Sequence, residues 1–297
     1  MTGEPQRILV LEAGGIGDAI LASPALDALR ERFPGARIAA IATPRAAPVL
    51  ESLDLGIELP TLRLARKLGR LLDAARLVLA ARARRPDLLI DLSSIETDAA
   101  ARRRRALVAL IGARRSIGRN TDGRGTFFDD AMAESLFDDE HEISRKLRVL
   151  ASLDIAVEEP EPRIGVSDAA RARARRRLRE SGLDDHGECI GVHPGAFLPT
   201  RRWPADRFAR LVADLAEASP RRRFLVTGGT REAELVDRVA RAAPDRAVRA
   251  VAPPLPELAA LVGRCRLVVT NDTAMTHVAA AQHVPVVAIF GRTNLAR

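Results

Sequence analysis

A chain of 297 residues, 47% of them hydrophobic, holds enough apolar material for two cores, and two domains are expected. The formal net charge of +8 invites nucleic acid or an anionic surface as a partner, but tyrosine is absent, Trp203 is the only tryptophan and aromatics total 3%, which removes the stacking platforms of single-strand binders. Of the 47 basic residues only Lys67 and Lys146 are lysines; the other 45 are arginines scattered through alanine-rich stretches, which reads as coding bias with solvated helix faces ahead of a functional basic surface.

Short apolar runs alternate with helical patterns along the chain, the signature of βαβ units and a parallel sheet. In the first half, strands are expected at Ile8 to Leu11, Ile38 to Ile41, Leu88 to Leu92 and around Ser116-Ile117. Helices are expected at Gly17 to Arg32, Leu62 to Arg84, Thr97 to Leu110 and Glu142 to Asp154, with Asn120 to Glu140 as a loop of little regular structure. The stretch Ala156 to Pro162, with two prolines and three acids, is the linker, giving domains 1–157 and 158–297. In the second half, strands are expected at Cys189 to His193, Phe224 to Thr227, Leu267 to Thr270 and Val284 to Phe290. Between them lie helices at Asp168 to Ser181, Ala205 to Ala218, Arg231 to Ala242, Leu255 to Val262 and Met275 to Gln282.

Cys189 and Cys265 show neither CxxC nor His/Cys ligand spacing, so no disulfide framework and no structural zinc site is expected. No apolar run approaches the roughly 20 residues that span a bilayer, and a cytoplasmic protein is expected, peripheral to a membrane at most.

Two Gly/Asp loops carry the chemistry. Gly14-Gly15-Ile16-Gly17-Asp18 and Thr270-Asn271-Asp272-Thr273 each follow an apolar strand and lead into a helix, the place where anions bind in open α/β sheets. The first loop is not a dinucleotide fingerprint: Ile20 stands where a third small residue is needed, and the second strand ends without an acid. Asp18 fits two readings, a charge favourable to a helix N-terminus or a general base beside a cleft. In the second half, Thr200, Arg201 and Arg202 precede Trp203-Pro204, and guanidinium groups at a strand exit suit phosphates. Thr227-Gly228-Gly229-Thr230-Arg231-Glu232 is expected on the same sheet edge.

The motifs GGIGDAILASPALDALRERFPGARI, HPGAFLPTRRWPADRF, VTGGTREAE and NDTAMTHVAAAQHVPVVAIFG, with Ser116-Ile117-Gly118-Arg119 and a helix from His141-Glu142 in the family's order, resemble the bacterial lipopolysaccharide heptosyltransferases, glycosyltransferase family 9. The resemblance implies an α/β protein of the GT-B type, two Rossmann-like domains facing across a cleft, with a C-terminal part that is short. It implies an N-terminal acceptor domain and a C-terminal nucleotide-sugar domain. Asp18 would activate the acceptor hydroxyl, with Gly15 and Gly17 forming the acceptor-side loop. Arg201, in a place that is commonly Lys, would contact the donor phosphates, and Glu232 the adenosine ribose. Thr200, Asn271, Asp272, Thr273 and His277 would complete the donor side, although His277 also fits a role capping or packing beneath the turn.

The expected reaction is inverting transfer of a heptose-like sugar from an ADP-sugar donor to a glycolipid or oligosaccharide acceptor, without metal or other cofactor. Two departures stand out: Ala274 replaces the family's usual glycine, where a positive φ would cost energy, and the family's bracing C-terminal helix is not seen before Arg297. The rival readings are the same fold with another nucleotide sugar, a truncated non-catalytic nucleotide-binding homologue, and a nucleic-acid-associated protein, the last made weakest by the lack of aromatics.

Overall fold

The alternation of apolar runs and helices becomes two separate five-stranded parallel sheets in the computed structural model, which describes residues 3–59, 69–181 and 188–291. The chain divides into two compact units between Pro162 and Arg163, at the end of the Pro- and Glu-rich stretch.

Unit 1 contains β1 (Arg7–Glu12), α1 (Ile16–Arg32), β2 (Arg37–Ala42), α2 (Ala47–Ser52), α3 (Gly69–Ala83), β3 (Leu88–Asp91), α4 (Asp98–Ile111), β4 (Arg115–Thr121), β5 (Asp130–Glu134) and α5 (Glu142–Arg148). Its strand order is β2-β1-β3-β4-β5, every pair parallel. Both faces of β1 are buried: Ile8 and Val10 pack with Leu26, Leu29 and Leu88 on one side, Leu9 and Leu11 with Leu89, Ile95 and Phe128 on the other. That is why β1 reads as a continuous apolar run.

Two expectations change. Asn120 to Glu140 is mostly turn and loop as expected, but β4 runs to Thr121 and β5, inside the segment, pairs with it in parallel register. β5 alternates in exposure at the sheet edge and reaches its place without a crossover helix, so it leaves no long apolar run to read. The helix expected to reach Asp154 stops at Arg148, followed by a 3-10 turn over Val149–Leu153. The part of the expected Leu62 to Arg84 helix before Gly69 lies outside the described residues.

Unit 2 contains α6 (Asp168–Glu180), β6 (Glu188–His193), α7 (Ala205–Ala218), β7 (Arg222–Gly228), α8 (Ala233–Ala240), β8 (Ala247–Val251), α9 (Leu255–Val262), β9 (Leu267–Asn271), α10 (Ala274–Ala280) and β10 (Val286–Ile289). Its order is β10-β9-β6-β7-β8, again parallel throughout. β8, not expected from the sequence, is an edge strand that exposes Arg249 between buried Val248 and Ala250. The Phe208 and Val212 face of α7 packs on Phe224 and Val226 of β7; each such fully buried side chain contributes about 1.5–3 kcal/mol. Trp203 meets Phe208 edge-on, ring centroids 5.0 Å apart.

The strand orders fix where ligands bind. Chain direction reverses around β1 and β3 in unit 1 and around β6 and β9 in unit 2, and in open parallel sheets the crevice at the carboxyl ends of such strand pairs takes the ligand.

Candidate active site

In unit 1 the crevice at β1 and β3 is a cavity of about 340 Å³ whose lining includes Glu12, Gly14, Asp18, Ser93, Glu142 and Lys146. Asp18 is exposed in the first turn of α1, and its Oδ2 accepts the Gly15 N–H at 2.7 Å. Gly14 must lack a side chain here, since a Cβ would lie 2.3 Å from the Asp18 Cβ and 2.5 Å from its carboxyl carbon. Gly15 is the N-cap of α1, and Gly17 lies in its first turn. Thr43 ties the same turn down by donating its hydroxyl to the Gly14 carbonyl at 2.7 Å, and the Ser93 hydroxyl accepts the Ala13 N–H at 2.8 Å.

Behind this turn lies a buried charge ladder that the sequence reading missed. Lys146, 1% exposed, donates to Glu12 Oε2 at 2.8 Å and to the Leu92 carbonyl at 3.1 Å, with Glu142 3.7 Å away. Arg119, wholly buried, pairs with Glu142 and, at 2.8 Å, with Glu134. Burial works against the Arg119 charge, but Glu142 and then Glu134 outweigh it and hold its pKa above the ordinary value. One signal could have exposed the ladder: in a chain that uses arginine almost throughout, Lys146 is one of two lysines.

In unit 2 the crevice at β6 and β9 is bridged by Asn271, which is wholly buried. Its Oδ1 accepts the Trp203 N–H at 2.8 Å, and its Nδ2 donates to the carbonyls of Pro194 and Gly195 at 2.9 and 3.1 Å. Placed on the donor side by the sequence, Asn271 has its amide engaged within the protein and acts by fixing residues 194–203. That segment presents Thr200, exposed on a 3-10 turn over Pro199–Arg201, and Arg201, whose guanidinium lies 3.3 Å from Asp272 Oδ2.

Glu232 accepts the Gly229 N–H at 2.8 Å and lies 3.7 Å from the Arg202 guanidinium. Arg202 is in turn held by the Ala196 carbonyl at 2.7 and 2.9 Å. Its carboxylate occupies the space where a Gly195 side chain would start: a Cβ there would fall 2.3 Å from Cδ and from both oxygens. Beneath it, His193 Nδ1 meets the Thr227 hydroxyl at 2.9 Å. Desolvation lowers the His193 pKa and prevails over the opposing pull of Glu232, so the imidazole is neutral at pH 7.

Thr273 caps α10, accepting the Met275 N–H at 3.1 Å, and His277 is half-buried one turn further on. Ala274 is the first residue of that helix and does not have positive φ, so the strain expected from replacing a glycine is not present. Arg201, Glu232, Asp272 and Thr273 thus share one sheet edge, whereas Asp18, Gly15 and Gly17 belong to unit 1. A second depression on unit 2, about 510 Å³ and lined by residues such as Pro220, Arg223 and Asp245, lies at the amino ends of β7 and β8, away from this edge.

Two Rossmann-like units, each with polar loops at the crevice of its parallel sheet, are the architecture of GT-B glycosyltransferases. The chain belongs to glycosyltransferase family 9 (heptosyltransferase), whose sequence profile matches residues 98–297. It is 25% identical to the lipopolysaccharide heptosyltransferase 3 of Escherichia coli K12 over 289 residues, covering 94% of this chain and 80% of that protein. Among solved structures, a family 9 glycosyltransferase from Veillonella parvula superposes with a TM-score of 0.83 at 25% identity, over 97% of this chain and 81% of the other. The E. coli ADP-heptose lipopolysaccharide heptosyltransferase II shares the fold at a TM-score of 0.75 and 22% identity, over 97% and 86%.

Proposed function

We propose that this glycosyltransferase moves a heptose from ADP-heptose to a sugar hydroxyl of a lipopolysaccharide-core-like acceptor, with inversion at the anomeric carbon. Unit 2 takes the donor and unit 1 the acceptor. The observation that carries the reading is the unit 2 edge, where Arg201, Arg202, Glu232 and Asp272 converge at the β6 and β9 crevice. It is supported by membership of the family and by the names of the E. coli relatives.

In this mechanism Asp18 takes the acceptor hydroxyl proton as that oxygen attacks the anomeric carbon. The bond from that carbon to the diphosphate oxygen breaks, and ADP leaves with its charge met by Arg201. The Arg201–Asp272 pair is half open to solvent on the arginine side. Such pairs contribute about 0–1 kcal/mol, so a diphosphate can replace the carboxylate as the arginine's partner at little cost. Glu232, with one oxygen on the Gly229 N–H, takes the ribose hydroxyls in this reading. No metal is assigned a step.

The exposed arginines of α4 (Arg102, Arg103, Arg105) and α6 (Arg171, Arg175, Arg176, Arg179) suit an anionic membrane surface carrying the acceptor. No helix among the described residues is long and apolar enough to cross a membrane. The direct test is ADP release from ADP-heptose with a heptose-deficient core acceptor. Acceptor-dependent release that falls about 10²–10⁴-fold in Asp18→Asn, with ADP affinity within a few-fold, supports the assignment. No acceptor-dependent release, or equal loss of binding and turnover, would overturn it.

A further inference from the structure

We infer that Lys146 is a positioning residue that sets, through Glu12, the turn holding Asp18. The inference rests on the reading of Asp18 as the base. Glu12 ends β1 and is 1% exposed, with its two carboxylate oxygens committed in opposite directions. Oε2 takes the Lys146 ammonium at 2.8 Å, and Oε1 accepts the Gly14 N–H at 2.9 Å. The next amide, Gly15, donates to Asp18 Oδ2 at 2.7 Å. Lys146 to Glu12, Glu12 to Gly14 and Gly15 to Asp18 are therefore three hydrogen bonds in series, joined through the Gly14-Gly15 backbone, on the wall of the acceptor-side cavity.

Each link requires the group present. A carboxylate this deeply buried keeps its charge only beside a cation, and a charged acceptor binds a backbone N–H more strongly than a neutral one. The compact ammonium also reaches the Leu92 carbonyl at 3.1 Å and lies 3.7 Å from Glu142, a convergence of three acceptors on one tetrahedral donor that a planar guanidinium does not match. Lys146 lies 134 residues from Glu12, so the docking of α5 against the end of β1 sets the Asp18 turn. Displacing a catalytic group by about 1 Å lowers turnover on the order of 10²-fold.

The test compares four variants by kcat with ADP-heptose and acceptor, ADP affinity by calorimetry, urea unfolding, and the amide proton resonances of Gly14 and Gly15. Lys146→Met is expected to lower kcat about 10–100-fold while ADP affinity stays within two-fold, and to move the Gly14 resonance. Adding Glu12→Gln to it replaces a buried carboxyl that has lost its cation with a neutral amide whose oxygen still accepts from Gly14, and should recover most of the lost kcat. Glu12→Gln alone leaves Lys146 beside Glu142 and so folds even where Lys146→Met does not. It should lower kcat less than Lys146→Met does and shift Gly14 upfield.

A loss of unfolding free energy in Lys146→Met with kcat and the Gly14 resonance unchanged would make the residue merely structural and overturn the inference. Failure of the double variant to recover kcat would do the same, assigning Lys146 to substrate contact. In an Asp18→Asn background, Lys146→Met should lower kcat no further. If Asp18→Asn itself leaves kcat intact, the base reading fails, and the Gly14 resonance still decides whether the relay exists.

Discussion

Asn271→Ala is the substitution for which the structure gives the clearest magnitude. The side chain is wholly buried and makes three hydrogen bonds, one accepted from Trp203 N–H and two donated to the Pro194 and Gly195 carbonyls. This arrangement also fixes the amide orientation, because only the oxygen can face the N–H and only the nitrogen can face two carbonyls. Alanine leaves a buried N–H with no acceptor, which costs about 1–3 kcal/mol, and two carbonyls that each lose a donor. The carbonyls can recruit other donors more readily than the N–H can find an acceptor, so the total expected is about 3–5 kcal/mol before relaxation.

The chain supplies its own probe for this variant. Trp203 is the single tryptophan, tyrosine is absent, and the Trp203 backbone N–H is the group left unpaired. Urea unfolding followed by Trp203 fluorescence therefore reports on unit 2 at the affected loop. The same variant should weaken ADP about tenfold, equivalent to about 1.4 kcal/mol, because Arg201 and Arg202, proposed for the donor site, lie on the freed segment. A fluorescence midpoint shifted by less than about 1 kcal/mol with ADP affinity unchanged would refute the reasoning.

Other substitutions separate the parts of the donor site. Arg201→Ala should weaken ADP more than adenosine if, as proposed, it meets the phosphates; equal losses measured by calorimetry would remove it from that role. Gly195→Ala places a Cβ 2.3 Å from the Glu232 carboxylate and should weaken adenosine as well as ADP; unchanged adenosine binding would exclude Glu232 from the ribose. The folded His193 pKa lies below its ordinary value of about 6.5, so its contribution to stability is complete above that pH and declines as pH falls through the folded value. His193→Asn should flatten the acid side of a melting-temperature profile, and an unaltered slope would contradict the half-buried, neutral imidazole. Binding to vesicles should need anionic lipid and weaken with salt, the Debye length being about 10 Å at 0.1 M; equal binding to neutral vesicles, or none, would return the arginine excess to coding bias.

What the sequence revealed followed the range of the interactions involved. The turn from Gly14 to Asp18 is local: strand, glycines and a first-turn acid lie within one short stretch, and their arrangement is legible as a pattern. The central strands were equally legible because both faces of β1, β3 and β6 are apolar. β5 and β8 were not, since each is an edge strand with alternating exposure and reads like a loop. The bond from Asn271 to Trp203 spans 68 residues and that from Lys146 to Glu12 spans 134, and no periodicity signals a polar residue buried by a partner so far away. The sequence placed Asn271 on the donor side, and the structure adds a role no local pattern announces: its amide ties residues 194, 195 and 203 together.

The two units solve the same problem in the same way. In each, a Gly-Gly pair closes the strand end and the acid three residues later reaches back to the second glycine, Asp18 to Gly15 N–H at 2.7 Å and Glu232 to Gly229 N–H at 2.8 Å. The bond satisfies an amide that would otherwise be unpaired at a helix start and fixes one carboxylate oxygen. In each unit a glycine makes room for the acid, Gly14 in the same turn for Asp18 and Gly195 at the β6 exit for Glu232; a Cβ at Gly195 displaces the Glu232 carboxylate, whereas one at Gly14 meets the Asp18 Cβ and must shift the turn itself. The difference lies in reach. Aspartate holds its charge close to the unit 1 turn, where the proposed mechanism takes a proton, whereas the longer glutamate extends across the β6 exit to Arg202 and Gly195. Exchanging the two, Asp18→Glu and Glu232→Asp, should therefore damage different steps: the first should lower turnover with ADP affinity retained, and the second should weaken ADP through lost reach. The same step failing in both variants would show that these carboxylates serve only as helix caps.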